Sequence, residues 1–136
     1  WDEEQGQLFC ARDELGIKPF YYYQTSEFIV FASESKALAK FHQNELSMNG
    51  VASYMLSLYI PSDWSVFEGV KKLLPAHVMT VSSNRAVSTE RYWSVSRFAD
   101  MDDTNNTRKE MEACLQSAIA LQLRSDVPVG ALLSVG

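Results

Sequence analysis

The sequence predicts a two-part protein of mixed α and β structure, with sheet and helices in the front two-thirds and a helix–strand unit of different character behind. Three observations carry this reading. Short apolar segments rich in aromatic residues recur early in the chain, separated by turn residues, as in a meander of antiparallel strands. A polar stretch at 94–106, with Asp100, Asp102, Asp103, Asn105 and Asn106, has the composition of a linker. Beyond it, helical periodicity gives way to a loop, a short apolar strand and the small-residue turn Ser134-Val135-Gly136.

Residues 7–12 (Gln-Leu-Phe-Cys-Ala-Arg) read as the first strand, and Asp13-Glu14-Leu15-Gly16 as a turn in which Gly16 supplies a positive φ. Residues 18–23 are extended and aromatic, with Pro19 at the strand start, where a missing N–H is tolerated. Thr25-Ser26-Glu27 turns the chain into the apolar strand 28–32. Residues 34–41 switch to helical composition, with Ser33 as N-cap and Ala37, Leu38 and Phe41 on one face. A second helix covers 50–59 through Val51, Tyr54, Met55 and Leu58, and Pro61-Ser62-Asp63 ends it. Residues 66–74 fit either helix or strand, and Pro75 closes them. The strands 77–81 and 87–93 flank Ser82-Ser83-Asn84-Arg85 as a hairpin. Thr107-Arg108-Lys109-Glu110 fits a capping box, and a helix runs from it to about Leu123 with Met111, Leu115, Ala118, Ile119 and Leu123 facing inward.

The 46% apolar and 21% charged content is that of a globular protein. A net charge of −5 without a basic cluster argues against nucleic-acid binding. No charged leader precedes an apolar segment, and no apolar run approaches the roughly 20 residues of a membrane span. Cys10 and Cys114 lie in dissimilar contexts, so each reads as packing rather than as a nucleophile or metal ligand; two unlinked thiols suit a reducing compartment. His42 and His77 belong to no metal pattern, and His77, following Pro75-Ala76, reads as fixing a turn. The acidic group at 100–103 lacks the glycine of a calcium loop and reads as solvated linker. Tyr21-Tyr22-Tyr23 reads as two sheet faces rather than a stacking platform. A strand feeding a Ser/Gly turn is one way α/β proteins begin a phosphate site, because small residues let backbone N–H groups converge on an anion. The chain is therefore expected to be a piece of a larger protein, cut where a nucleotide site starts.

Several segments in order resemble the glutamine-dependent asparagine synthetase family. Residues 11–22 (Ala-Arg-Asp-Glu-Leu-Gly-Ile-Lys-Pro-Phe-Tyr-Tyr) are similar to its A-R-D-x-x-G-x-K-P-L-Y-Y segment, and residues 31–38 to its F-A-S-E-x-K-A-L. Residues 72–77 are similar to its K-L-P-P-G-H, and Arg91-Tyr92-Trp93 to its closing R-Y-W. Residues 124–136 resemble S-D-V-P-V-G-x-x-L-S-G-G, the start of its pyrophosphatase-type ATP loop.

The resemblance implies three regions. Residues 1–93 would be the C-terminal part of a class II glutaminase, an α-β-β-α N-terminal-nucleophile sandwich. Residues 94–106 would be a linker. Residues 107–136 would be the first helix and strand of a parallel α/β synthetase domain. The family's nucleophilic cysteine is the first residue of the mature chain and the glutamine-clamping residues lie upstream, so no glutaminase catalytic residue carries over and Cys10 does not take that place. In the family, ATP activates the side-chain carboxylate of aspartate as an acyl adenylate, magnesium neutralises phosphate charge, and ammonia from glutamine displaces AMP to give asparagine. Leu133 matches a position whose backbone contacts ATP, while Ser134 and Gly136 match the loop around the pyrophosphate. A cytoplasmic enzyme with small-molecule partners is implied, acting on neither nucleic acid nor membrane; a homodimer of the full-length protein is compatible with it. The polypeptide by itself is expected to be inactive.

Two departures stand out. Val135 occupies a glycine position of the pattern, and a β-branched residue resists positive φ and crowds an approaching phosphate. Ala76 replaces a glycine more mildly. The rival readings are a related enzyme with another acceptor, such as one that closes β-lactam rings or amidates sugars, and a non-catalytic descendant of the family.

Overall fold

The computed structural model describes residues 1–98 and 107–132. The chain divides into a front unit, Trp1–Arg97, and a back unit, Phe98–Gly136. The front unit is a small α+β domain built on two antiparallel three-stranded sheets. One joins β1 (Gln7–Ala11), β5 (His77–Ser82) and β6 (Val87–Arg91) in the order β1-β5-β6. The other joins β2 (Tyr21–Gln24), β3 (Ile29–Ala32) and β4 (Lys71–Lys72) in the order β3-β2-β4.

This partition corrects the expected meander. β2 and β3 pair as neighbours, Tyr21 opposite Ala32 and Gln24 opposite Ile29. β1 instead pairs with β5, Gln7 opposite Ser82 and Ala11 opposite Val78. The cause lies in the connection between β1 and β2. The carboxylate of Asp13 accepts the N–H groups of Ile17 and Lys18, and the Arg12 guanidinium takes the carbonyl of Lys18. Pro19 has no N–H to offer. Residues 17–19 are thereby unavailable to a ladder, and β2 starts at Tyr21 rather than at residue 18.

The core lies between the two sheets, where Cys10, Tyr22, Leu73, Met79 and Val81 meet, with Leu8, Phe20, Ile29 and Val87 packed around them. Tyr22 is buried while Tyr21 and Tyr23 are half-buried, so the tyrosines do divide between two faces. The hairpin expected at 82–85 forms. Arg85 takes φ +66°, and the Asn84 side chain accepts the Ala86 N–H at 3.1 Å.

The helix expected at 34–41 shrinks to one 3₁₀ turn, Ser35–Leu38. Glu34, not Ser33, precedes it and makes no capping bond, and a segment this short cannot offset the cost of nucleation. Only Leu38 is buried there. The helix expected at 50–59 is α1, Met48–Ser57. Ser47 caps it, its hydroxyl accepting the Gly50 N–H at 3.4 Å, and Leu58 closes it in the left-handed conformation, donating its N–H to Tyr54 O at 2.8 Å.

In the back unit, the helix expected from 107 to about Leu123 is α2, Thr107–Gln122; Thr107 is its first helical residue rather than a cap outside it. Its apolar stripe does not face inward: Met111, Leu115, Ile119 and Leu123 are all more than half exposed, and Cys114 is exposed too. An amphipathic face is buried only against a partner element, and none of the α2 residues is buried. Within residues 124–132, which are exposed, no strand forms among the described residues. Among the described residues no helix is long and apolar enough to cross a membrane.

Candidate functional site

Three of the motif-bearing segments of the front unit, residues 11–22, 72–77 and 91–93, converge on one corner, where the turn after β1 meets the segment that enters β5; residues 31–38 are not part of it. Arg12 is its centre. Its guanidinium donates to three carbonyls: Lys18 O at 2.9 Å, Gly16 O at 2.9 Å and Leu73 O at 2.5 Å. The planar fork of arginine suits this, since its fixed donors can serve acceptors in several directions at once. The Arg12 backbone N–H donates to His77 O at 3.0 Å, and the Tyr92 hydroxyl donates to Arg12 O at 2.8 Å.

Asp13 closes the turn. Its carboxylate accepts from Ile17 N–H at 2.8 Å and Lys18 N–H at 3.1 Å. These two bonds hold its pKa below the usual aspartate value, because they stabilise the ionised form. Its backbone carbonyl accepts from Gly16 N–H and Ala76 N–H. Gly16 sits at φ +67°, and a Cβ there would lie 2.7 Å from Pro75 Cγ. His77 fixes its turn as the sequence suggests, through a 2.8 Å hydrogen bond between Nδ1 and Pro75 O. Ala76 occupies φ +58° and is buried, so its backbone does adopt the conformation that favours glycine.

Beside this corner lies a cleft of about 100 Å³ lined by Tyr22, Asp63, Lys72, Leu73, His77 and Thr89, among others. Lys72 Nζ donates to Ile60 O, and the Lys72 N–H donates to Asp63 O at 2.7 Å, tying the loop after α1 to β4. Burial lowers the Lys72 pKa, the nearby Arg12 charge lowers it further, and Asp63 opposes both. Burial also raises the Cys10 thiol, which fits packing and not nucleophilic attack. His42 accepts the Asn44 N–H on Nδ1 and packs on Phe67 and Tyr23, a structural role.

The corner is a scaffold. Its polar groups are spent on backbone atoms, and its chemistry is to lock two loops together. Among the described residues no group of three or more His, Cys, Asp or Glu is placed to hold a metal ion. Leu133, Ser134 and Gly136, expected to contact ATP, lie outside the described residues, as do Asp100, Asp102, Asp103 and most of the expected linker. Sequence reasoning found the motif residues but not the role of Arg12. The available signal was its place directly before an Asp-x-x-Gly turn, whose carbonyls such a cation can collect.

The profile of the glutamine amidotransferase domain matches residues 1–93. Over its whole length the chain is 34% identical to asparagine synthetase [glutamine-hydrolyzing] 3 of Bacillus subtilis and 28% identical to asparagine synthetase [glutamine-hydrolyzing] 1 of the same organism, covering 22% of each. It is 29% identical, again over its whole length, to the amidase chry2 of Gibberella zeae, of which it covers 21%. The chain thus spans about a fifth to a quarter of the length of the curated relatives it matches.

Proposed function

The chain belongs to the glutamine amidotransferase domain family, and from that premise we propose that it is part of a glutamine-hydrolysing asparagine synthetase. One observation favours a larger enzyme of this kind over a stand-alone glutaminase. The family match ends at residue 93, yet similarity to asparagine synthetases runs through all 136 residues.

In this reading residues 1–93 form the C-terminal part of the class II, α-β-β-α glutaminase sandwich, residues 94–106 link, and residues 107–136 begin the parallel α/β ATP domain. The turn around Arg12 and Asp13 holds the two sheets of the glutaminase part in register, a positioning role without contact to the reacting atoms. Leu133, Ser134 and Gly136 would meet ATP, through backbone groups that a loop of small residues leaves open. ATP with Mg²⁺ supplies the activation of the aspartate carboxylate; glutamine supplies the nitrogen. The site is cytoplasmic in this reading, and this chain alone catalyses neither half-reaction.

The full-length polypeptide supplied with aspartate, glutamine and ATP tests the proposal. Expected products are AMP, pyrophosphate, glutamate and asparagine. AMP formation only with some other carboxylate acceptor would reject aspartate and favour the amidating relatives. Val135→Gly in the same protein probes the nucleotide loop: tighter ATP binding is expected, and unchanged affinity would remove the steric argument against valine.

A further inference from the structure

We propose that Tyr92 is a positioning residue, a clasp that fixes where the chain leaves the front unit and so couples ammonia release to its use; this rests on the synthetase reading. The folding of β6 does not account for the segment Arg91-Tyr92-Trp93. β6 ends at Arg91, which pairs with His77. Tyr92 lies one residue past the ladder, yet both its backbone and its side chain are tied down. Its N–H donates to Ala76 O at 2.9 Å, and its hydroxyl donates to Arg12 O at 2.8 Å. Arg91 Nε donates to Trp93 O at 2.9 Å, joining the residues on either side of it.

Both acceptors are stiff. Arg12 is fixed by the three bonds of its guanidinium, and Ala76 by its N–H on Asp13 O, the residue next to Arg12. Tyr92 thereby joins the closing motif segment to two earlier ones. Its ring is 39% exposed and adds little to the core, so its distinctive group is the hydroxyl. Desolvation, then the charges of Glu14 and Asp13, raise the phenol above its ordinary pKa, and the hydroxyl stays a donor at neutral pH. Beyond it, Ser96 and Arg97 donate their N–H groups within their own turn, to Ser94 Oγ at 3.3 Å and Ser94 O at 3.1 Å. No residue of that turn, Val95–Phe98, is buried, and the front unit ends at Arg97.

The exit point matters for the chemistry. In the proposed reaction glutamine supplies nitrogen to a carboxylate that another part of the polypeptide has activated. Ammonia that escapes takes a proton from water and no longer attacks. Transfer therefore requires the two parts to meet in one arrangement, and how often tethered parts meet depends on where the tether begins. A neutral hydrogen bond shifts an equilibrium about fivefold. Losing this one leaves the front unit folded, but raises by that factor the share of molecules whose exit segment is off its seat.

Tyr92→Phe in the full-length protein tests the proposal. The readout is glutamate released per amide product formed, with ammonium in place of glutamine as a second arm. A rise of about two- to fivefold in the ratio is expected, with ammonium-dependent synthesis at its wild-type rate. Gly6→Ala is the control, since it strains the same unit at φ +59° with nothing within 4 Å of the added Cβ. It should lower the urea midpoint of the front unit and leave the ratio alone. An unchanged ratio in Tyr92→Phe would overturn the proposal. So would an equal rise in Gly6→Ala, which marks general loosening, or a matching fall in the ammonium arm, which puts the defect in the synthetase half. The ratio is read with aspartate first and then with other carboxylates. Rejection of aspartate alone overturns the asparagine reading and leaves this test in force; a protein that forms no amide from any of them overturns both.

Discussion

Gly16→Ala should be among the most damaging single-methyl changes in the front unit. Two costs add. At φ +67° an alanine is strained by about 1 kcal/mol relative to glycine. Its Cβ would also sit 2.7 Å from Pro75 Cγ, closer than atoms in a packed interior approach. The proline ring is stiff, so relief must come from moving the backbone of one turn, at roughly 1–3 kcal/mol. The sum, roughly 2–4 kcal/mol, is a large part of the ~5–15 kcal/mol that holds a domain folded.

Gly6→Ala is the matched control. Gly6 has nearly the same backbone, φ +59°, but nothing within 4 Å of its added Cβ, so only the ~1 kcal/mol strain applies. Urea unfolding followed by near-ultraviolet circular dichroism isolates the front unit, because all three tryptophans and all six tyrosines lie in it. With a slope of ~1–3 kcal/mol per molar urea, Gly16→Ala should lower the midpoint by about 1–2 M with the slope unchanged. Pro75→Ala removes the clashing atom, so the double mutant should recover about 1–2 kcal/mol in a thermodynamic cycle. A Gly16→Ala loss no larger than that of Gly6→Ala, or zero coupling to Pro75, would refute the steric account.

Arg12→Lys should destabilise the front unit by roughly 2–4 kcal/mol, nearly as much as Arg12→Ala, because an ammonium cannot serve three carbonyls arranged around a planar fork; a lysine variant as stable as wild type in the same urea assay would contradict this. Asp13 has a folded pKa below its unfolded value of about 3.9, so its contribution is present above that value and is lost as pH falls through the folded pKa. Asp13→Asn should therefore flatten the acid limb of the stability–pH curve below about pH 4 and leave its shape near neutrality unchanged; an unaltered acid limb would show that the two N–H bonds are not what depresses the pKa.

Local structure was largely legible, and pairing was not. The turn at Gly16, the hairpin around Asn84 and the body of α1 follow from nearby residues, each with its own signal in glycine, turn residues or helical spacing. The division into two sheets depends on β1 meeting β5, about seventy residues later, and alternation along β1 is silent about which strand it will meet. The inward stripe of α2 fails for a related reason: Met111, Leu115 and Ile119 are correctly spaced for burial, but spacing cannot supply the element that buries them. At the corner, the motif residues could be named from sequence, while their convergence could not. Arg12 reads as a surface charge until Leu73, sixty-one positions away, brings its carbonyl alongside.

Ala76 and Gly16 show how the same corner treats a demand for left-handed backbone in opposite ways. Both residues face Asp13 O with their N–H groups, and both take positive φ. At position 16 the space for a methyl is filled by Pro75, so glycine is the residue that fits. At position 76 the methyl is buried. Burying it returns about 0.8 kcal/mol, close to the ~1 kcal/mol of strain that alanine brings. Loss of glycine from the Pro-x-His segment is thus nearly neutral, and it says little against the chain's keeping the family fold. Under the proposed function, the substitution that bears on the nucleotide loop is Val135, where branching at Cβ would crowd an anion that the loop is proposed to admit. A non-catalytic descendant of the family would have to be argued from that residue, not from Ala76.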